Sequence, residues 1–90
     1  MSELIEFDVS ELEPPEPLIQ IIAAARTLSA HQLLRVVHRR DPLPLYPLLD
    51  ELGVGHERRL HPSGAVVLLI WAPSAAPSRT RIEDLLADAH

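Results

Sequence analysis

Two short runs hold most of the side chains here that could bind a ligand or move a proton: His38-Arg39-Arg40-Asp41 and Arg58-Arg59-Leu60-His61. Histidine exchanges a proton near neutral pH, and arginine receives carboxylate or phosphate through paired N–H donors. His38, Arg39, Arg40 and Asp41 fall at the end of a strand-like run, just before a helix entry. His61 and Arg59 reach the same sheet edge if their strand runs parallel to that one. Open α/β sheets bind ligands at this edge, and helix starts attract anions. The set predicts a site for a small anion or an acidic partner. Its plain alternative is a solvated basic loop in which Asp41 caps a helix.

Catalysis has less support. The chain has no cysteine, which removes thiol chemistry, thiolate metal sites and disulfides. His38, His61, Glu13 and Asp41 are the acid–base candidates, but no activated nucleophile or Gly-rich phosphate loop accompanies them. No catalytic residue and no cofactor are assigned. The five histidines, His31, His38, His56, His61 and His90, lack close ligand spacing, and two alone make a poor metal site, so no metal is predicted. The competing reading is an enzyme or accessory factor that takes a small anionic or metal-containing ligand at the His38–Arg40 edge.

Composition narrows the classes further. Ninety residues make one small domain. The net charge of -5 argues against a nucleic-acid binder. Phe7, Tyr46 and Trp71 are the only aromatics, too few for base stacking. The longest apolar run, Ala65 to Ala72, is too short to span a bilayer, so no membrane association is expected. The acidic start, Met1 to Glu6, lacks the basic flank of a secretory signal. The reading is a soluble cytoplasmic protein.

The elements that must position these residues follow from periodicity. Residues 4–9 alternate, with Ile5, Phe7 and Val9 on one side, and predict a half-buried strand. Glu13-Pro14-Pro15-Glu16-Pro17 ends it and opens a helix over about 15–28, because proline is tolerated where the N–H would be unpaired anyway. Leu18, Ile21, Ile22, Ala25 and Leu28 form the buried stripe of that helix. Residues 32–38 are apolar on nearly both faces, as an interior strand requires. Asp41-Pro42 then leads into a helix over about 44–52, with Pro47 awkward inside it and Gly53 as its C-cap. Residues 56–61 are polar on both faces and suit an edge strand. Residues 65–72 are apolar on both faces and suit a central one. A linker, Pro73 to Ser78, precedes a capping-box pattern at Thr80-Arg81-Ile82-Glu83. A short tail helix should follow, with Ile82, Leu85, Leu86 and Ala89 as its stripe. The predicted order is β-α-β-α-β-β plus a tail helix.

That order, with a Pro-rich turn opening the first helix, resembles the TusA/SirA-like sulfur-carrier superfamily over residues 5–72. Its Cys-Pro-x-Pro signature would place cysteine where this chain has Pro14. Within the superfamily, the chain is similar to a cysteine-less bacterial branch of unknown function. The resemblance rests on Leu12 to Leu18 and on an Asp-Pro-x-Pro-Leu motif, here Asp41-Pro42-Leu43-Pro44-Leu45. The branch often has histidine before that aspartate; Arg40 stands there, so no role for a histidine is transferred. The resemblance implies an α/β (α+β) two-layer sandwich. Its mixed four-stranded sheet would have the last strand inserted antiparallel between the second and third, and two helices on one face. Residues 1–73 would form this domain, and residues 74–90 a linker and tail helix. Without a thiol the chain cannot carry persulfide sulfur. Pro14 and Glu16 then mark either a retained docking surface or simple helix initiation, where Glu16 suits the helix dipole.

The sequence therefore predicts a non-catalytic interaction or small-ligand-binding module. Its partner is a protein, a second copy of itself or a small anion. Its candidate residues are Pro14, Glu16, His38, Arg39, Arg40, Asp41, Arg59 and His61. Two helices cover one sheet face; either the tail helix or a second subunit covers the other, or it exposes a patch large enough to bind a partner.

Overall fold

The structure, a computed structural model, describes residues 3–87. In chain order its elements are β1 (Glu3–Asp8), α1 (Glu16–Arg26), β2 (Gln32–His38), α2 (Leu45–Leu52), β3 (Gly55–Leu60), β4 (Val66–Trp71) and α3 (Arg79–Leu86). The strands form one sheet in the order β1-β2-β4-β3. β1 pairs parallel with β2, and β4 pairs antiparallel with both β2 and β3. β2 and β3 therefore run in the same direction, and the carboxyl ends of β1, β2 and β3 share one edge. This is the mixed sheet that the resemblance implied, with the last strand inserted antiparallel between the second and third.

β4 sits inside because nothing in it needs water. Val66, Val67, Leu68, Leu69 and Ile70 are all fully buried. Strand alternation sends Leu68 and Ile70 to one face, where Leu34 and Val36 of β2 join them against Ile21 and Ala25 of α1 and Leu45 and Leu49 of α2. Each such side chain contributes roughly 1.5–3 kcal/mol when fully buried. Val67 and Leu69 face the other way and pack with Leu33, Ile82 and Leu86. The tail helix thus covers the second face from within the same chain. Of its predicted stripe, Ile82 and Leu86 are buried and Leu85 is half-buried; Ala89 lies outside the described residues.

Polar contacts fix α3 in place. Arg35 is 7% exposed on the α3 side of β2. Its Nε–H donates to Leu85 O at 2.7 Å, and its guanidinium pairs with Glu6 at 3.1 Å. His61 Nε2–H donates to Leu86 O at 3.2 Å. Both meet carbonyls at the C-terminal end of the helix, where positive charge and donors are favoured. Arg59 pairs with Glu83, and Arg79 pairs with Glu57. The N-cap differs from expectation. Ser78, not Thr80, caps α3, and its hydroxyl accepts the N–H of Arg81 at 3.1 Å.

α2 resolves the awkward proline. The helix begins at Leu45, so Pro47 is its third residue. The first four N–H groups of a helix have no partner inside it, so the missing N–H costs nothing there. Gly53 ends the helix at φ 78°, in the left-handed region. Gly55 has a different task. A Cβ there would lie 1.9 Å from Trp71 Nε1, so the indole crosses the edge strand only because that residue is glycine. No helix among the described residues is long and apolar enough to cross a membrane.

The tail contact is testable through the single tryptophan. Ending the chain after Pro73 uncovers Leu33, Val67, Leu69 and one side of Trp71. The expected outcome is a melting temperature lower by several degrees, since about 4–8 °C accompanies each kcal/mol in a domain of this size. Trp71 emission should shift to the red. Unchanged melting and unchanged emission would contradict the docking of α3.

Candidate functional site

A cavity of about 300 Å³ opens at the carboxyl edge of the sheet, between the starts of α1 and α2. Its α1 side is built by Pro14, Pro15, Pro17, Leu18 and Ile21, and its α2 side by Pro42, Pro44 and Leu45. His38, Arg40 and Asp41 close it from the end of β2. Sequence explains the shape. Proline has no N–H to leave unpaired and a fixed φ, so proline-rich entries give rigid, apolar walls beside both helix starts. Neither start has a side-chain cap: Pro15 and Pro44 stand at the two N-cap positions. Ile21 and Leu45 are fully buried and form the floor, while Pro14, Pro15, Arg40 and Pro44 are exposed at the rim.

His38 is the last residue of β2 and points to the α1–α2 side, as Leu34 and Val36 do. It is only 9% exposed. The backbone N–H of Arg40 donates to its Nδ1 at 3.3 Å. An Nδ1 that accepts leaves the proton on Nε2, so the neutral ring offers the cavity an N–H. No partner for Nε2 occurs among the described residues, and no buried polar side-chain atom there is unsatisfied, so Nε2 is open to the cavity. Burial holds the ring's pKa below the usual 6.5, and the charges of Arg39 and Arg40 push the same way, against Asp41.

Asp41 is not the helix cap predicted for it. α2 starts four residues later, at Leu45, and the Asp41 carboxylate turns instead toward β3. It accepts from Tyr46 Oη–H at 2.7 Å and from Arg58 Nη1–H at 2.6–2.8 Å. The Arg58 guanidinium lies over the Tyr46 ring, 4.8 Å from its centre. Tyr46 also stacks on His56, whose Nε2–H donates to Asp50 at 2.9 Å. Burial, followed by the bond to Asp41, pushes the Tyr46 phenol up to about 12. The network ties the loop that follows His38 and bears Arg40 to the edge strand.

Pro14 lines the cavity; Glu16 is exposed at the first position of α1 and does not line it. Arg39 is exposed and pairs with Glu13 at 3.5 Å. Arg59 and His61 reach the same sheet edge but lie on its opposite face, committed to Glu83 and Leu86 O of α3. His38 and His61 therefore do not converge. Among the described residues no three histidine or carboxylate side chains could together hold a metal ion. Sequence reading missed Tyr46 and Arg58. Alternation along β3 was the available signal: it puts Arg58 on the helix-covered face and Arg59 on the other.

Fold and cavity together define a small α+β domain with an apolar cleft at the carboxyl edge of a mixed sheet, between two helix starts. Residues 6–72 match the model of the family described as uncharacterized conserved protein, DUF2249, and the chain belongs to that family. No curated protein and no solved structure matches it. The matched segment takes in every residue that lines the cavity and stops before α3.

The depressed pKa of His38 has a consequence for stability. The unfolded chain binds a proton at this histidine before the native chain does. Its contribution to stability is thus present above the ordinary value near 6.5 and is lost as pH falls below that value toward the lower folded one. The expected result is a wild-type unfolding free energy that declines across this acid range, and a His38→Gln variant that declines less. Equal pH slopes in the two proteins would contradict a buried neutral ring.

Proposed function

We propose that this domain is a cytoplasmic, non-catalytic binding module whose small ligand occupies the proline-lined cavity. The observation that carries the reading is His38: a nine-tenths buried imidazole with one nitrogen fixed by the backbone of Arg40 and the other open to an apolar cleft. A hydrogen-bond donor that opens into an apolar cleft is the kind of isolated polar group that orients a bound ligand. The volume of about 300 Å³ is at the small end of ligand-binding pockets. The walls hold no cysteine, serine or threonine, so no nucleophile stands beside the histidine. The resemblance to TusA-like carriers read from the sequence is consistent with this proposal. Pro14, at the place of the carrier's cysteine, lines the cavity, so this chain would use that edge to bind without a thiol.

The experiment is a binding map. Proton–nitrogen correlation spectra of the full chain are recorded with a set of small aromatic and branched aliphatic fragments. Shifts should gather on the amides of Leu18, His38, Arg40 and Leu45. Fragments that shift none of these, or that shift residues scattered over the surface, would contradict the reading.

A further inference from the structure

We infer that the cavity selects an organic monoanion, a compact apolar body with one carboxylate at the end that meets His38 and Arg40. The inference rests on the reading of the cavity as a binding site and names the class of ligand.

Four features converge on it. The first is the supply of donors. The Nε2–H of His38 is open to the cavity, and Arg40 lines the same side two residues further on. Among the arginines around the cleft, Arg39 is spent on Glu13 and Arg58 on Asp41, whereas the Arg40 side chain has no partner among the described residues. An N–H on the wall and a guanidinium borne by an exposed residue at the rim suit an acceptor that carries charge. The second is the setting of that wall between the starts of α1 and α2, whose dipoles favour negative charge there.

The third feature limits the charge to one. Asp41 also lines the cleft, with its carboxylate turned toward β3. Arg58 and Tyr46 satisfy it, but its charge remains close, and with one uncommitted guanidinium a dianion such as phosphate would be poorly compensated. The fourth limits polarity to one end. Away from His38, Arg40 and Asp41 the lining is proline, leucine and isoleucine. A second polar group on the ligand would be buried there without a partner, which is unfavourable. The net charge of -5 gives no long-range attraction for anions, so selectivity must come from these contacts.

The test uses benzoate and benzamide, which share a ring and differ in charge, with N-acetylleucine standing in for the carboxyl end of a peptide. Each is titrated into the full chain and followed by the amide shifts of Leu18, Arg40 and Leu45. Benzoate should bind at least about tenfold more tightly than benzamide, a difference of about 1.4 kcal/mol. The Arg40→Gln variant, altered at an exposed side chain, should lose most of that advantage while keeping the wild-type melting temperature. Equal binding of benzoate and benzamide would overturn the inference and leave the cavity a binding site. Binding of none of the three would overturn the underlying reading as well. A benzoate preference that survives Arg40→Gln would overturn the recognition assigned here. Tighter binding of N-acetylleucine than of benzoate would overturn the assignment to a free acid.

Discussion

Burial of β4 on both faces is the constraint from which the rest follows. A strand with five consecutive fully buried apolar residues cannot lie at an edge or leave one side wet. It must have a neighbour on each side, and β2 and β3 supply them. It must also have a layer above and a layer below. α1 and α2 form one, and α3 forms the other. The second layer is thinner than the first, so charge finishes what apolar area begins. A buried arginine and a histidine take the last carbonyls of α3, and two ion pairs join the helix to β3.

The same constraint builds the cleft. With β4 inserted, β2 and β3 run parallel, and both central helices start at one edge. Their starts are proline-rich, so two rigid apolar walls face each other across the end of β2. The residue at that end, His38, is drawn inward by its strand alternation, while Arg39 and Arg40, past the strand, stay at the surface. The loop is held from the far side. Asp41 binds Arg58 of β3 and Tyr46 of α2, and the cation over the ring ties the two together. Exposed ion pairs contribute little alone; here one arginine nitrogen reaches both oxygens of the Asp41 carboxylate and a half-buried phenol donates to the same group, with the His56 imidazole stacked on that phenol's ring. The mouth of the cleft is thereby set by contacts distant from the cavity floor.

Much of this was legible in the sequence, because binary patterning is a local signal. The Val-Leu-Leu-Ile run gave a central strand, the charged run an edge strand, and the spacing of Ile21 and Ala25 or of Leu45 and Leu49 gave helix faces. What was not legible depended on which face a residue takes once strands are paired. Arg58 and Arg59 are neighbours in sequence but serve opposite sides of the sheet, one at Asp41 and the other at Glu83. His38 and His61 share an edge and are separated for the same reason. Asp41 carried a cap signal that two following prolines displaced: with α2 delayed to Leu45, its side chain was free to reach β3. Arg35 was hidden inside an apolar run, and only the docked helix shows what it does.

The central claim is that His38 is a neutral, buried imidazole that presents Nε2–H to the cleft. Proton–nitrogen correlation spectra of the isotope-labelled histidine rings, with the His38→Gln protein to assign the signal, read this directly. Near neutral pH the account predicts a ring protonated at Nε2 and bare at Nδ1, whose Nε2–H signal moves when benzoate is added while the Nδ1 signal keeps its unprotonated character. A His38 that carries its proton on Nδ1, or that is doubly protonated near neutral pH, would contradict the account.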